Sequence, residues 1–375
     1  MNAAAYDVVV VGAGIVGAAC ADAFSRHGLK IAVVERDVVG SGATAAGMGH
    51  VVVMDDSDAQ FALTRYSQRL WQQLAPELPA DVEYQQCGTI WVAADEEEMA
   101  EVKRKHSYYT ERAVPTNILD VEALACMEPN LRSGMAGGLL VPQDAVVYPP
   151  CAARFLLERA QTRGAQLLFG SVQEIGRGAV RLADNTHLSA RFVVNAAGAW
   201  APGLTPKLDI KMRKGHLVIT DRYPGFVRHQ LVELGYLKSA HSLTTDSVAF
   251  NIQPRQTGQM LIGSSRQYGV EHKQIDPEIL SRMLRRALEF MPALAQTSTI
   301  RTWTGFRAAA PDKLPIIGES PVDPSLYFAT GHEGLGITTA LGTAELLADR
   351  MMGNTPAIPL TPFLPTRAFV EHSHA

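Results

Sequence analysis

Cysteine is scarce: Cys20, Cys87, Cys126 and Cys151 are the only four in 375 residues, and no two form a CxxC pair. That spacing excludes a zinc ribbon or an iron–sulfur cluster ligated by this chain alone, so no metal site is expected. It reads instead as the reduced thiols of a cytoplasmic protein. Long apolar runs are missing as well. None reaches the roughly 18 residues of a membrane span, and the first apolar run ends in a glycine loop, so neither a transmembrane segment nor a signal peptide is expected. Peripheral contact with a membrane, at an inner-membrane surface for instance, stays open. No surplus of charge exists to hold nucleic acid: 34 basic against 38 acidic side chains give −4. Repeats and low-complexity segments are absent, and 47% hydrophobic against 19% charged residues excludes disorder. The length suggests two domains, or one with an insertion.

What is present begins at Tyr6. Asp7 to Val11 is an apolar, valine-rich run, as a strand buried on both faces should be. Gly12, Gly14 and Gly17 follow at GxGxxG spacing, and Ala18, Ala19, Ala21 and Ala23 fill the helix behind. Glycines there allow a tight turn, close approach to a pyrophosphate and close helix–strand packing. The helix amino end, with Ile15 and Val16, offers N–H donors and partial positive charge to phosphate. Lys30 to Val34 reads as the second strand, and Glu35, followed by Arg36, ends it. An acid there accepts from both ribose hydroxyls of an adenosine.

Next comes Gly40-Ser41-Gly42-Ala43-Thr44-Ala45-Ala46-Gly47-Met48-Gly49-His50, whose small residues let a large ligand lie against backbone; a flexible linker is the plainer alternative. Helical spacing covers Ser57 to Leu74, with Phe61, Leu63, Tyr66, Leu70, Trp71 and Leu74 apolar. Asp95 to His106 reads as a charged, solvated helix. A second buried strand runs into Val193-Val194-Asn195-Ala196-Ala197-Gly198-Ala199-Trp200. From Lys211 to Arg266 the composition turns to β. Finally Leu326 to Thr330 reads as a strand, and Gly331-His332-Glu333-Gly334-Leu335-Gly336-Ile337-Thr338 opens a helix that Gly353 and Pro356 stop. A second glycine-rich helix start suits a ligand longer than NAD, with a charge-accepting ring at its far end.

In these stretches (VVVVGAGIVG with Glu35, GSGATAAGMG, VNAAGAWA, TGFRAAAPDKLPIIG and ATGHEGLGITTALGTAELLAD) the chain resembles the D-amino-acid oxidase-like family of FAD-dependent oxidoreductases. Within it the resemblance leans to the β subunits of bacterial D-hydroxyproline dehydrogenase and of octopine or nopaline oxidase. It implies an α/β fold: a Rossmann-type FAD-binding domain, glutathione-reductase-like, with an inserted α+β substrate domain. The boundaries expected are 1–75, 136–206 and 301–375 for the first and 76–135 and 207–300 for the second. Gly12, Gly14, Ile15, Val16, Gly17, Glu35 and Arg36 would hold the adenosine and pyrophosphate. Ser41, Gly42, Ala43, Thr44, Ala46, Gly47, Met48 and Gly49 would run beside ribityl chain and flavin. Val172 would meet the adenine, and Ala196, Gly198, Trp200 and Gly305 would complete the cofactor contacts. Gly331, Gly334, Leu335, Gly336, Ile337 and Thr338 would face flavin N1 and O2.

The resemblance also makes Arg307 the clamp for a substrate carboxylate, with His50 and His332 as candidates for the catalytic cavity. Tyr236, His241 and Phe250 would line the substrate sheet unless they are core. Relatives with covalent flavin carry a cysteine after that arginine or a histidine in the amino-terminal loop. Here Ala308, Ala309, Ala310 and Thr44 stand there, so FAD should be noncovalent. No lysine lies between Ser239 and His272, where oxygen-using relatives carry one, which favours a dehydrogenase. The expected reaction is oxidation of the Cα–N bond of an amino or imino acid, first cis-4-hydroxy-D-proline to a pyrroline carboxylate. Octopine or nopaline, or sarcosine or glycine, are the alternatives, and a noncatalytic FAD-binding subunit is the rival of another class. Partner subunits would form a hetero-oligomer and bring any FMN or iron–sulfur centre.

Overall fold

Val8 to Val11 are buried in β1 (Tyr6–Val11), which pairs in parallel with β2 (Ile31–Glu35) on one side and with His187–Asn195 on the other. In the computed structural model, which describes residues 5–235 and 246–369, the sheet continues in the order Ile316–Glu319, Leu326–Thr330, His187–Asn195, β1, β2, Gln166–Phe169. All neighbours are parallel except the outermost pair, Ile316–Glu319 with Leu326–Thr330. Val11 sits opposite both Val34 and Asn195, so three strands deliver their carboxyl ends to one edge. Open α/β sheets bind ligands at that edge.

The glycine-rich helix α1 (Ile15–Arg26) packs against Pro149–Thr162 and against the carboxyl-terminal helix Gly336–Met352. The buried Asp22 of α1 meets Arg26, Arg159 and Arg163 at 3.5, 3.2 and 3.0 Å, which compensates its burial with charge. Helix α2 (Asp58–Leu74) starts on Ser57, whose side chain accepts from Gln60 N, and lies along the carboxyl-terminal helix. These elements form one compact unit: Met1–Val82, Tyr148–Met212 and Phe306–Ala375.

A second unit holds Glu83–Val147 and Arg213–Gly305. Its sheet runs Thr299–Ala309, Lys211–Thr220, Met260–Tyr268, Ser247–Pro254, Gln230–Glu233, Thr89–Ala93, Gly137–Val141, Asn117–Leu119. Helix Pro277–Phe290 covers one face through Ile279, Met283, Ala287 and Phe290. Asp276 caps this helix, accepting from Glu278 N and Ile279 N, and His216 Nε2 accepts from Asp276 N at 3.0 Å. His216 therefore carries its proton on Nδ1, 2.9 Å from Ser265 Oγ.

The boundaries differ from those expected. Residues 136–147, because Gly137–Val141 pairs antiparallel with Thr89–Ala93, and residues 301–305 belong to the second unit; residues 76–82 and 207–212 belong to the first. The charged helix extends over Glu96–Glu111 and is not wholly solvated: it buries Met99, Val102, Lys105 and Tyr109. Lys105 Nζ lies 4.5 Å from the centroid of the Trp91 ring and 5.4 Å from that of Tyr109. Phe250 is core, fully buried and stacked on Phe290 at 4.6 Å, because its strand turns it toward the covering helix. Tyr236 and His241 lie outside the described residues. Among the described residues, no helix is long and apolar enough to cross a membrane.

Candidate functional site

Three loops leave the carboxyl edge of the first unit's sheet together. Gly12 has φ +103°, and a Cβ there would stand 2.8 Å from Ala196 O; Ala196 N in turn donates to Val11 O at 3.0 Å. Gly17 is tighter, since its Cβ would come within 2.0 Å of Gly12 O. Only glycine lets strand, turn and helix close this far. Glu35, 7% exposed, accepts from Ala13 N at 2.7 Å and from Asp37 N at 2.8 Å. One donor on each oxygen fixes the carboxylate and leaves further lone pairs for a ligand's hydroxyls.

Helix α1 has Gly14 as its cap residue and no side-chain cap of its own. Ile15 N donates instead to Thr44 Oγ1 at 3.0 Å, across 29 residues of sequence, and a Cβ on Gly14 would sit 3.2 Å from the same oxygen. Val16, half-buried, completes the first turn. So Ser41–Gly49 is no loose linker: Ala46 N and Gly47 N bond back to Gly42 O and Thr44 O, and Thr44, Met48 and Gly49 are buried. Ser41, Gly42, Ala46 and Gly47 are half-buried and Ala43 is exposed. On the other side of the turn, Trp200 has the Arg36 guanidinium 5.1 Å from its ring centroid, Gly42 against its edge and Phe306 at 6.5 Å. Gly198, at φ +57°, accepts from Thr330 Oγ1 at 3.0 Å. Val172 is half-buried, its side chain packed against the unit's core.

The same unit brings the start of the carboxyl-terminal helix to this loop. A Cβ on Gly47 would stand 2.7 Å from Ile337 Cδ1, and Thr338 Oγ1 donates to His50 O at 2.8 Å. The helix's cap residue is Leu335, again with no side-chain cap, so its first amides remain for a ligand. Gly331, at φ +76°, makes the turn from the strand, and Gly334 and Gly336 follow. Arg307 is half-buried between the buried Phe306 and Ala308–Ala310. Gly305, on the same strand, falls in the second unit.

His332 lies behind the turn that opens the carboxyl-terminal helix. It is 7% exposed, and Nε2 lies 3.0 Å from Thr343 Oγ1 inside the helix it precedes. Burial pushes its pKa down to about 3, so the ring stays neutral near pH 7. His50 keeps its backbone tied to Thr338 and its side chain half-buried. Sequence pattern offers no reason to single out Trp71, which is fully buried and whose Nε1 lies 3.2 Å from Ile337 O and 3.1 Å from Thr338 O. Its apolar spacing marks it as core, and nothing local distinguishes an indole N–H that reaches 266 residues ahead. The second unit's sheet also carries a buried lysine, Lys214, whose ammonium donates to Gln274 O and whose pKa burial lowers.

The donor set fits a flavin adenine dinucleotide: a carboxylate with spare acceptors for ribose, and two helix starts whose cap residues, Gly14 and Leu335, make no side-chain cap, both touching one loop of small residues. Residues 7–350 match the family model described as FAD dependent oxidoreductase. The glycine oxidase of Geobacillus kaustophilus is 29% identical over 381 residues, covering 96% of this chain and 97% of that protein. The hydrogen cyanide synthase subunit HcnC of Pseudomonas aeruginosa is 29% identical over 415 residues, covering 96% of each. The crystal structure of the Geobacillus glycine oxidase superposes with a TM-score of 0.87 at 27% identity, covering 97% of this chain and 99% of that one.

Proposed function

This chain belongs to the FAD-dependent oxidoreductase family, and on that premise we propose that it oxidises the Cα–N bond of a small amino or imino acid, with cis-4-hydroxy-D-proline as the first substrate to try. The observation that carries the reading is Glu35, buried at the end of β2 with one backbone donor on each oxygen. The remaining lone pairs suit the two hydroxyls of an adenosine ribose. Gly12, Gly14 and Gly17 with the α1 amides would take the pyrophosphate, Arg36 and Trp200 the adenine end, and Gly336 to Thr338 the flavin ring. The bound flavin supplies a two-electron acceptor for the Cα hydrogen, taken as hydride. Thr44 in the loop and the alanines at 308–310 put no cysteine or histidine at these positions themselves, which supports a noncovalent flavin.

Arg307 would hold the substrate carboxylate by a two-pronged charge-assisted pair, fixing Cα in the reacting geometry. The substrate enters with its amine deprotonated, and the nitrogen lone pair becomes the second bond of the C=N product as the hydride leaves. The neutral, buried His332 supplies no base, and the reaction balances without one. For hydroxyproline the product is a cyclic pyrroline carboxylate. Electrons would then pass to partner subunits or a quinone; any FMN or iron–sulfur centre would belong to those partners.

A second reading has a specific observation behind it: glycine oxidases are among the chain's relatives, so glycine or sarcosine oxidation with peroxide release is the competing activity. Anaerobic mixing of the flavin-loaded chain with cis-4-hydroxy-D-proline, D-proline, octopine, nopaline, sarcosine and glycine decides between them. The productive substrate bleaches the oxidised flavin band. Arg307→Ala keeps the flavin and lowers kcat/KM about a hundredfold or more. Bleaching that survives Arg307→Ala unchanged would remove the clamp from the mechanism.

A further inference from the structure

We infer that Trp71 is a positioning residue for this chemistry: its indole N–H sets the rotation of the carboxyl-terminal helix, and so the aim of the amides at that helix's start. The inference rests on the flavin reading above. Trp71 is fully buried in α2, and its indole N–H is shared between the carbonyls of Ile337 and Thr338, at 3.2 and 3.1 Å. Those carbonyls already belong to a helix, so the indole adds a sideways constraint that a helix does not provide for itself. A buried N–H without an acceptor is costly, which holds donor and carbonyls together.

Two further contacts make the constraint directional. The Thr338 hydroxyl donates to His50 O at 2.8 Å and accepts from Val52 N at 3.3 Å, tying the same turn to the chain leaving the glycine-rich loop. One turn further along, a Cβ on Gly342 would stand 2.3 Å from Ser67 Oγ, so α2 approaches the helix at backbone distance. The first turn is thus held by two separate segments, Trp71 of α2 and the His50–Val52 backbone, while the close approach at Gly342 leaves α2 little room to shift. Donors at a developing negative charge work by being fixed beforehand, and a small rotation spoils their aim. Trp71 acts through the helix and not on the substrate.

The test uses the full flavin-loaded chain and two replacements at this position, Trp71→Phe and Trp71→benzothienylalanine. The second puts sulfur in place of the N–H in a ring of the same shape, and so keeps the packing. The readouts are the two-electron reduction potential, the sulfite Kd (sulfite reports how well the site holds negative charge on the ring), and the flavin Kd. The expected result is a sulfite Kd about tenfold higher, equivalent to a potential about 30 mV lower for a two-electron couple. Flavin Kd should change by less than about threefold, and kcat should fall with KM kept. A sulfite Kd within about twofold of the wild type, with a potential within about 9 mV of it, in the variant that retains flavin, would overturn the inference. So would a loss confined to flavin retention, which is what a merely structural residue gives. A wild-type chain that takes up no flavin sinks the inference together with the cofactor reading. Normal sulfite binding without bleaching by any amino acid sinks the substrate reading alone.

Discussion

Glu35 and His332 show how differently two buried ionisable groups can serve one site. Glu35 is held in one orientation by backbone donors on both oxygens. Glu35→Gln keeps the shape but turns one acceptor into a donor facing those amides. Flavin should then bind roughly ten- to a hundredfold more weakly, the worth of a hydrogen bond to a charged group, as titration calorimetry would measure. His332 is held neutral by burial, its pKa pushed from 6.5 to about 3. Because the folded state refuses a proton that the unfolded chain accepts, its contribution is intact above pH 6.5. It is lost progressively as pH falls toward 3, at up to about 1.4 kcal/mol per pH unit. His332→Gln should therefore flatten the fall of stability between pH 6.5 and pH 4, read from denaturant midpoints at each pH. An equal slope in both proteins would mean that another group takes up the proton.

At the scale of elements, helix starts recur as the organising device, capped in one place and left uncapped in another. Pro277–Phe290 begins on Asp276, whose carboxyl the Ile279 amide holds below the usual carboxylate range. Asp276→Ala should cost about 1 kcal/mol at pH 7, measured by denaturant unfolding. A group with a depressed pKa stabilises above its unfolded value, so the difference should close as the medium is acidified below about pH 4. By contrast, the cap residues of α1 and Gly336–Met352, Gly14 and Leu335, make no side-chain cap. The glycines, Glu35 and the two turn sequences were legible in the chain because each lies within a few residues of the feature it controls. Thr44 as acceptor for Ile15 N, Trp71 as donor to Ile337 O and the burial of Lys105 were not, because each depends on which segment arrives from far along the chain. The strand Gly137–Val141 falls in the second unit although the expected boundary put residues 136–206 in the first, since its partner Thr89–Ala93 is chosen by sheet register and not by composition.

For the whole molecule, the proposed noncovalent cofactor and the proposed electron outlet are separable by simple chemistry. Acid precipitation should leave all flavin in the supernatant; yellow protein in the pellet would contradict noncovalent binding. Peroxide released in air should account for less than about a tenth of the turnover seen with an artificial acceptor, an order-of-magnitude contrast chosen to separate the two classes. Peroxide equal to turnover would favour the oxidase reading and draw attention to Lys214, the buried lysine on the second unit's sheet.

The first unit is assembled from three separated stretches, and its sheet needs Leu326–Thr330 beside His187–Asn195. A ribosome making this chain from its amino end therefore releases Gly12 and Glu35 long before the helix at Gly336 exists. The nucleotide loop must wait, unfinished, while about 300 residues are added, a matter of tens of seconds at ordinary synthesis rates. Capture of the cofactor is then among the last events of biogenesis. The half-made protein, with the valines of β1 and β2 lacking their neighbours, is the form that chaperones and proteases meet.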